Sequence, residues 1–340
     1  MTDAIQSAST LAGSPPPFRG LALVASGSAQ ANQTISNADL SERVQTSDEW
    51  IRKRTGIAQR HIAAEGEKTS DLACHAAREA ITAAGLDVEA IDAIVIATTT
   101  PDDTFPSTAA SVQAKLGATN AFAFDVQAVC AGFVYALDVA DALIKSQKAE
   151  KVLVIGAETF TRILDWEDRT TAVLFGDGAG AVVLEASNNA PDWGILSSCL
   201  FTDGRFRDLL YVDGGVSSTG DVGHVRMKGN EVFRHAVEKL SSSLDAALKS
   251  AGLKDDDIDW LVPHQANIRI IDSMQKKLGM PSEKVVRTVS QHANTSAASI
   301  PLALNAAVQD GRIQPGHIIA FEAIGGGLTW GAALARFGRP

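Results

Sequence analysis

The chain has 340 residues, of which 45% are hydrophobic, and a formal net charge of −10 at pH 7. A chain of this length can bury a large core and exceeds the usual size of one domain, so we expect two domains or one fused double unit. Its negative charge argues against general nucleic-acid binding, and no apolar run is long enough for a membrane span. Three cysteines without metal-ligand spacing predict a cytoplasmic protein with neither disulfide nor metal site.

The chain opens with a predicted tail and a helix that ends at glycine. Residues 1–20, rich in Ser, Ala and Pro, predict a mobile tail. Apolar residues around Cys74 then recur every three or four positions, Gly85 ends this helix, and residues 91–95 form an apolar strand. We therefore expect Cys74 to be structural.

Cys130 is the candidate nucleophile. It follows the apolar run 121–129 and precedes a predicted helix over Val134–Lys145. A free cysteine in such surroundings is usually a small buried hydrophobe. The functional alternative is that unpaired N–H groups at the helix start favour its thiolate form. Cys199 lies within a predicted strand and is expected to be structural.

Two more apolar strands are predicted over residues 152–155 and 181–184. Strands of this kind, alternating with helices, are typical of mainly parallel sheets that are covered on both faces. Between them, Gly176–Gly180 reads Gly-Asp-Gly-Ala-Gly and superficially resembles a dinucleotide loop. It precedes a strand and opens no helix, so we do not predict a nucleotide fingerprint there.

The helix–glycine–strand unit recurs in the second half. Residues 250–253 and 258–262 repeat the pattern of 83–86 and 91–95 with identical internal spacing. This repeat predicts two related halves, which we place at residues 21–190 and 191–340. A pseudo-twofold pairing of the halves would bring polar residues from both into one central site.

His264 and Asn294 are the polar residues that this pairing would bring to Cys130. His264 follows a strand-like run, where residues often line a site, and the alternative is a turn histidine. Asn294 heads a Ser/Thr/Ala run that could also be a helix cap. Papain-like hydrolases use Cys, His and Asn too, but their signature around the cysteine is absent from this chain.

Five segments resemble the 3-oxoacyl-[acyl-carrier-protein] synthase III family, the condensing enzymes that start bacterial type II fatty-acid synthesis. The likeness runs from about Leu21 to the C-terminus. It implies an α/β, thiolase-like fold in a five-layer α-β-α-β-α arrangement, and a homodimer. The segments are Ala128–Phe133, His264–Arg269, Asn294–Ser299, Gly176–Gly180 and Gly325–Trp330.

The resemblance also implies the chemistry. Cys130 would take an acetyl or other short acyl group from acyl-CoA, which is a substrate, so no cofactor is expected. His264 and Asn294 would stabilise the enolate formed when malonyl carrier protein loses CO2. Backbone N–H groups of Cys130 and Gly326 would form a second oxyanion hole. The product would be 3-oxoacyl carrier protein.

Two groups of binding residues follow from the resemblance. Trp50 and Arg169 would hold the adenine ring between them, although Trp50 could equally be a core anchor and Arg169 a surface charge. The full set for coenzyme A is Trp50, Arg54, Arg169, Gly229, Asn230, Phe233 and Asn267. The set for the acidic carrier protein is Arg234, Gln265, Arg269, Lys276 and Lys277. The alternative is that these basic residues simply form a solvated helix face.

Two features bear on the starter group. Val129 stands where the family usually has alanine, and Phe105 matches a position that reaches the acyl pocket of the partner subunit. A bulky ring there would shorten the pocket, so acetyl is favoured over long chains. The alternatives to this function are a related condensing enzyme of secondary metabolism and a cysteine-dependent thioesterase.

Overall fold

The computed structural model describes residues 20–187 and 192–340. The strands are β1 Gly20–Gln30, β2 Gln33–Ser36, β3 Gln59–Ile62, β4 Ala93–Ala97, β5 Phe122–Val126, β6 Lys151–Glu158, β7 Gly178–Ser187, β8 Gly194–Thr202, β9 Leu210–Val212, β10 Val225–Met227, β11 Trp260–Pro263, β12 Ile318–Gly325 and β13 Thr329–Arg336. The α-helices are α1 Asn37–Ser41, α2 Asp48–Thr55, α3 Thr69–Ala83, α4 Thr108–Leu116, α5 Gly132–Lys145, α6 Arg169–Ala172, α7 Gly229–Ala251, α8 Ile268–Lys277, α9 Val289–His292 and α10 Ser299–Gln309.

Two mixed sheets form the framework. One has the strand order β1-β7-β6-β4-β5, and the other has the order β11-β12-β13-β8. Parallel pairing is restricted to β4 with β5, β4 with β6 and β11 with β12 among these two sheets. The prediction of mainly parallel sheets was therefore wrong. The tight connection between β12 and β13 leaves no room for a crossover, so those strands pair antiparallel.

The helices and sheets alternate in five layers. Helices α5 and α10 lie between the sheets and contact strands of both. Helices α3 and α4 cover the outer face of the first sheet, and α7 covers the outer face of the second. The central layer is sealed by apolar side chains such as Phe133 and Phe321, whose rings meet edge to face at 6.5 Å between centroids. This layering confirms the predicted thiolase-like fold class.

The predicted repeat has a structural counterpart. Helix α3 is followed by Gly85 with φ 67° and then by β4, while α7 is followed by Gly252 with φ 68° and then by β11. Glycine adopts this left-handed conformation without a steric cost, which explains why both helices stop there. The division into 21–190 and 191–340 stays a prediction, since 188–191 and most of the tail lie outside the described residues.

Candidate active site

One cavity of about 480 Å³ brings together the three candidate catalytic residues, Cys130, His264 and Asn294. Cys130 comes from the first half of the chain, immediately before α5, and the other two come from the second half. Their convergence is the arrangement that the repeat predicted. The same cavity is lined by every residue predicted to bind coenzyme A, namely Trp50, Arg54, Arg169, Gly229, Asn230, Phe233 and Asn267.

Cys130 lies in a single turn of 3-10 helix, Val129–Ala131, that leads directly into α5. Its side chain is almost completely buried. Burial, together with a smaller effect of the Glu158 carboxyl, raises the pKa of the Cys130 thiol to about 12. Burial therefore opposes ionisation of the thiol, and the favourable effect of the helix start on the thiolate stays a prediction. The thiol proton must leave as the sulfur attacks.

His264 is held as a neutral hydrogen-bond donor. Its Nδ1 lies 2.6 Å from the Ser299 hydroxyl oxygen, and that same oxygen accepts the backbone N–H of Gln265 at 3.3 Å. When the Ser299 hydroxyl donates to Nδ1, the ring proton lies on Nε2. Burial lowers the pKa of His264 to about 3, so the ring is uncharged near neutral pH.

The side-chain amide of Asn294 is oriented by its own backbone. Its Oδ1 accepts the N–H of Ser296 at 2.9 Å, which leaves the NH₂ group as the free end. Its backbone is tied on both sides, because Asn294 N–H donates to Leu174 and its carbonyl accepts from Gly176. The helix-cap interpretation was wrong, since Thr295 is the N-cap residue of the turn Ser296–Ala298 and Ala298 is that of α10.

Strained backbone surrounds two of the three residues. Val129, Ala293 and Ser296 have φ values of 49°, 58° and 48°, in the left-handed region that side chains other than glycine rarely adopt. Val129 precedes Cys130, and the other two flank Asn294. Such conformations persist only where the surrounding structure imposes them, and they cluster at functional sites.

The outer end of the cavity carries an indole ring between α2 and α6. The guanidinium carbon of Arg54 lies 4.6 Å from the Trp50 ring centroid, and that of Arg169 lies 4.8 Å from it. Trp50 is only partly buried, and it packs against the core below while its ring faces the cavity. The core-anchor and ligand-binding interpretations of Trp50 are therefore compatible.

Beside the cavity lies an exposed basic patch, which consists of Arg234 on α7 with Arg269, Lys276 and Lys277 on α8. Gln265, predicted to join this group, is fully buried. Its amide donates to the carbonyls of Pro263 and Val286 and accepts from the backbone of Thr288 and Val289. Its assignment to the docking surface was therefore wrong.

A second cavity of about 250 Å³ lies next to the first, and it is lined by Val129, Phe160, Leu210 and Gly326 among others. Leu210 lines both cavities. A Cβ atom added to Gly325 would lie 2.7 Å from the backbone nitrogen of Cys130, so this glycine segment packs directly against the nucleophile's amide. Phe105 is 84% exposed and lines neither of these cavities.

The remaining sequence features have structural roles. Cys74 and Cys199 lie outside the main cavity, in α3 and β8, and burial raises the pKa of Cys74 to about 11. Asp177 of the Gly176–Gly180 segment is buried, where it accepts hydrogen bonds from Ala63 and Thr161. Strand β7 begins at Gly178, which confirms that no helix opens there.

The structure shows one important residue that sequence reasoning did not single out. Ser299 forms a hydrogen bond with Nδ1 of His264. It is the last residue of the Asn294–Ser299 segment, so its place in that segment was the available signal. Among the described residues, no group of three or more His, Cys, Asp or Glu side chains could hold a metal ion. No helix of that same part is both long and apolar enough to cross a bilayer.

Comparisons with known proteins agree with this site. The family model described as 3-oxoacyl-[acyl-carrier-protein (ACP)] synthase III matches residues 124–204, and the model of its C-terminal part matches residues 248–337. A beta-ketoacyl-[acyl-carrier-protein] synthase III of Paramagnetospirillum magneticum is 61% identical over 317 residues, which cover 92% of this chain and 98% of that protein. One of Rhodospirillum rubrum is 63% identical over 306 residues, covering 89% of this chain and 94% of the relative.

Solved structures give the same result. The crystal structure of 3-oxoacyl-[acyl-carrier-protein] synthase III from Aquifex aeolicus is similar with a TM-score of 0.89 and 46% identity, covering 94% of this chain and all of that one. The corresponding enzyme of Pseudomonas aeruginosa gives a TM-score of 0.89 at 40% identity, over 94% of this chain and 99% of the other. The chain therefore belongs to the 3-oxoacyl-[acyl-carrier-protein] synthase III family.

Proposed function

We propose that this chain transfers a short acyl group from acyl-CoA to Cys130 and then condenses it with malonyl carrier protein. The observation that carries the proposal is the convergence of Cys130, His264 and Asn294 in one cavity. The Asn294 amide and the His264 ring serve there as hydrogen-bond donors. Family membership makes the chain an acyltransferase that starts fatty-acid synthesis, and neither a thioesterase nor a secondary-metabolism role is favoured.

In the first half-reaction the Cys130 sulfur attacks the thioester carbonyl of acyl-CoA. The C–S bond to coenzyme A breaks, and the departing sulfur receives the proton that the thiol gives up, so free coenzyme A leaves. Backbone N–H groups of Cys130 and Gly326 stabilise the tetrahedral oxyanion. The close packing of Gly325 on the Cys130 amide supports this role, because it brings the glycine segment next to one of the two proposed donors.

In the second half-reaction malonyl carrier protein loses CO2, and the electron pair of the broken C–C bond forms an enolate. His264 Nε2–H and the Asn294 NH₂ group donate to the enolate oxygen. The enolate carbon then attacks the acyl carbonyl on Cys130, the C–S bond breaks, and the released sulfur takes a proton from water. A neutral histidine suits this role, since it donates without moving its own proton to the substrate.

The outer end of the cavity binds the nucleotide end of coenzyme A in this proposal. A base stacked between Trp50 and Arg169 needs about 7 Å, twice an ordinary contact distance. The 4.8 Å between them means that the Arg169 guanidinium moves outward when the base enters. Gly229, Asn230, Phe233 and Asn267 line the path from there toward Cys130.

The second cavity receives the acyl chain in this proposal, and acetyl remains the proposed starter. We also infer a homodimer. Strand β5 forms an edge of the first sheet, where Phe122 is 43% exposed and stacks on Phe124. Phe105 is likewise exposed. An uncovered edge strand with aromatic side chains is a suitable surface for a second copy of the chain.

The exposed basic patch of Arg234, Arg269, Lys276 and Lys277 docks the acidic carrier protein in this proposal. Its position beside the cavity supports the assignment, since the malonyl group must reach Cys130 from a protein that stays outside. Three free cysteines support a reducing cytoplasm as the location.

The proposed function is tested by incubating the protein with acetyl-CoA that carries a radiolabelled acetyl group. We expect one label per chain, and peptide mapping should place it on Cys130. Malonyl carrier protein should then release the label as 3-oxoacyl carrier protein. A label that appears only as free acetate would identify a thioesterase instead. Repeating the assay with longer acyl-CoA donors measures the starter preference.

A further inference from the structure

Arg60 on β3 is completely buried, yet it forms no ion pair with any residue of the described chain. Its guanidinium makes only two hydrogen bonds, and its Nε has no partner. An uncompensated charge is costly to bury, and desolvation lowers the pKa of Arg60 to about 10. A side chain held at such a cost is expected to have a role that a neutral residue would not fill.

The two hydrogen bonds of Arg60 connect to the two walls of the outer cavity. Nη1 donates to Asn37 Oδ1 at 3.0 Å, and the Asn37 amide donates in turn to Asp48 Oδ1 at 2.9 Å. Asp48 is the first residue of α2, the helix that carries Trp50. This arm therefore fixes the start of the indole-bearing wall.

The other arm reaches the opposite wall. Nη2 donates to the carbonyl of Val173 at 3.2 Å, and Val173 directly follows α6, the short helix that begins with Arg169. A Cβ atom added to Gly176 would lie 3.1 Å from the Arg60 Cβ, so the chain also passes close to this arginine at Gly176. The planar guanidinium fork can hold both acceptors at a fixed separation, which a single ammonium cannot do.

We propose that Arg60 is a positioning residue that fixes the separation between the start of α2 and the backbone after α6, the two helices that carry Trp50 and Arg169, and through it the affinity for the nucleotide end of acyl-CoA. This inference rests on the proposed function. Arg60 does not line the cavity, so it acts through Asn37, Asp48 and Val173 and not by touching the substrate. A role in folding alone would instead affect every substrate alike.

The test compares acetyl-CoA with acetyl-N-acetylcysteamine, a thioester that lacks the nucleotide. In Arg60→Lys and Arg60→Gln we expect KM for acetyl-CoA to rise about tenfold, the effect of losing one charged hydrogen bond, with kcat within twofold. The kcat/KM for the truncated thioester should stay within twofold of wild type. Asn37→Ala cuts the arm to α2, together with a 2.8 Å hydrogen bond to the Ile57 carbonyl, and leaves the arm to Val173 in place. It should show the same selectivity if the arginine variants do not fold.

Ser26→Ala is the matched control, because it deletes a buried 2.9 Å hydrogen bond to Asn305 outside the cavity. It should leave the ratio between the two donors unchanged. Equal losses with both donors, or no change with either, in a folded Arg60 variant would overturn the inference. Calorimetric titration with coenzyme A separates the two proposals. If wild type fails to bind coenzyme A, both the proposed function and the role of Arg60 are overturned. If wild type and variant bind it equally, only the role of Arg60 is overturned.

Discussion

Nδ1 of His264 lies 2.6 Å from the Ser299 hydroxyl oxygen, and a proton donated by this hydroxyl to Nδ1 leaves Nε2 as the ring's donor. In Ser299→Ala the ring loses its donor to Nδ1 and both tautomers become available. We expect malonyl decarboxylation to fall about fivefold, the worth of one hydrogen bond of about 1 kcal/mol. Acetyl transfer to Cys130 should remain within twofold. Measurement of CO2 release checks the result, and Ser299→Thr, which keeps the hydroxyl, is the control.

Cys130→Ser should abolish both acyl transfer and condensation. A serine hydroxyl in the same buried position ionises far less readily than the thiol, and its oxygen ester is a poorer acyl donor. Mass spectrometry after incubation with acetyl-CoA measures the acylated fraction. Cys74→Ser and Cys199→Ser serve as controls and should change stability more than turnover. More than a few per cent residual condensation in Cys130→Ser would contradict the assignment of the nucleophile.

His264→Ala and Asn294→Ala should each lose about 100-fold or more in malonyl decarboxylation, since one oxyanion donor contributes about 3 kcal/mol. Both variants should still accept acetyl from acetyl-CoA, because Nε2 carries a proton and cannot take that of the thiol. The acetylated fraction of each variant, followed over time by mass spectrometry, checks this division. If His264→Ala cannot be acetylated, His264 acts as a base in the first half-reaction and the assigned tautomer is wrong.

Arg269→Glu, alone or with Lys276→Glu and Lys277→Glu, should weaken the use of malonyl carrier protein but leave acetyl transfer from acetyl-CoA almost unchanged. The wild-type carrier reaction should also weaken with salt, because exposed charges are screened within about 8 Å at physiological ionic strength. Lys148→Glu makes the same charge change on an exposed residue of the other half and is the control. Equal losses in both half-reactions would show that α8 is not the carrier site.

Glu322→Gln should change stability in a pH-dependent way. Both carboxyl oxygens of Glu322 are buried without a partner in the described chain, and desolvation raises the pKa of Glu322 to about 8. Between these two pKa values the folded state therefore keeps a proton on Glu322, whereas the unfolded state, whose glutamate has the ordinary pKa of 4.5, has released it. Wild type should lose stability relative to Glu322→Gln as pH rises from about 5 to 8, by at most about 1.4 kcal/mol per pH unit.

Urea denaturation of both proteins from pH 5 to 9 measures this difference. The difference should level off above the folded-state pKa of Glu322, where its carboxyl is ionised in both the folded and the unfolded wild type. Burial lowers the pKa of His264 and His292, which destabilises the folded state on the acid side, but it does so in both proteins and cancels in the comparison. A difference that is constant with pH would show that Glu322 is ionised throughout.

The sequence predicted which three residues meet in the main cavity because they occupy distinctive local settings, a cysteine before a helix, a histidine after a strand and an asparagine before a helix. It did not predict strand direction, since a buried apolar strand reads the same in a parallel and an antiparallel pair. Gln265 follows His264 in the chain and was assigned to the surface that binds the carrier protein. Its burial depends on Val286 and Thr288, whose approach is a tertiary contact that no local pattern contains.

The desolvation of the Cys130 sulfur was not predicted, for a related reason. A helix start is visible in one segment, whereas desolvation of the sulfur depends on backbone from the other half, including Gly325 and the turn after Asn294. Local sequence is therefore a better guide to the identity of a candidate nucleophile than to its state of ionisation. The same holds for Ser299, whose effect on His264 arises only once α10 packs beside β11.

The left-handed backbone at Val129, Ala293 and Ser296 has a consequence for evolution in the laboratory. Each such residue is less stable there than glycine would be by about 1–2 kcal/mol, so glycine at these positions is an available route to a higher melting temperature. The same conformations orient Cys130 and Asn294. A library selected for heat resistance alone should therefore accumulate changes at these three positions and lose turnover, whereas alternating selection for heat resistance and condensation should leave them untouched.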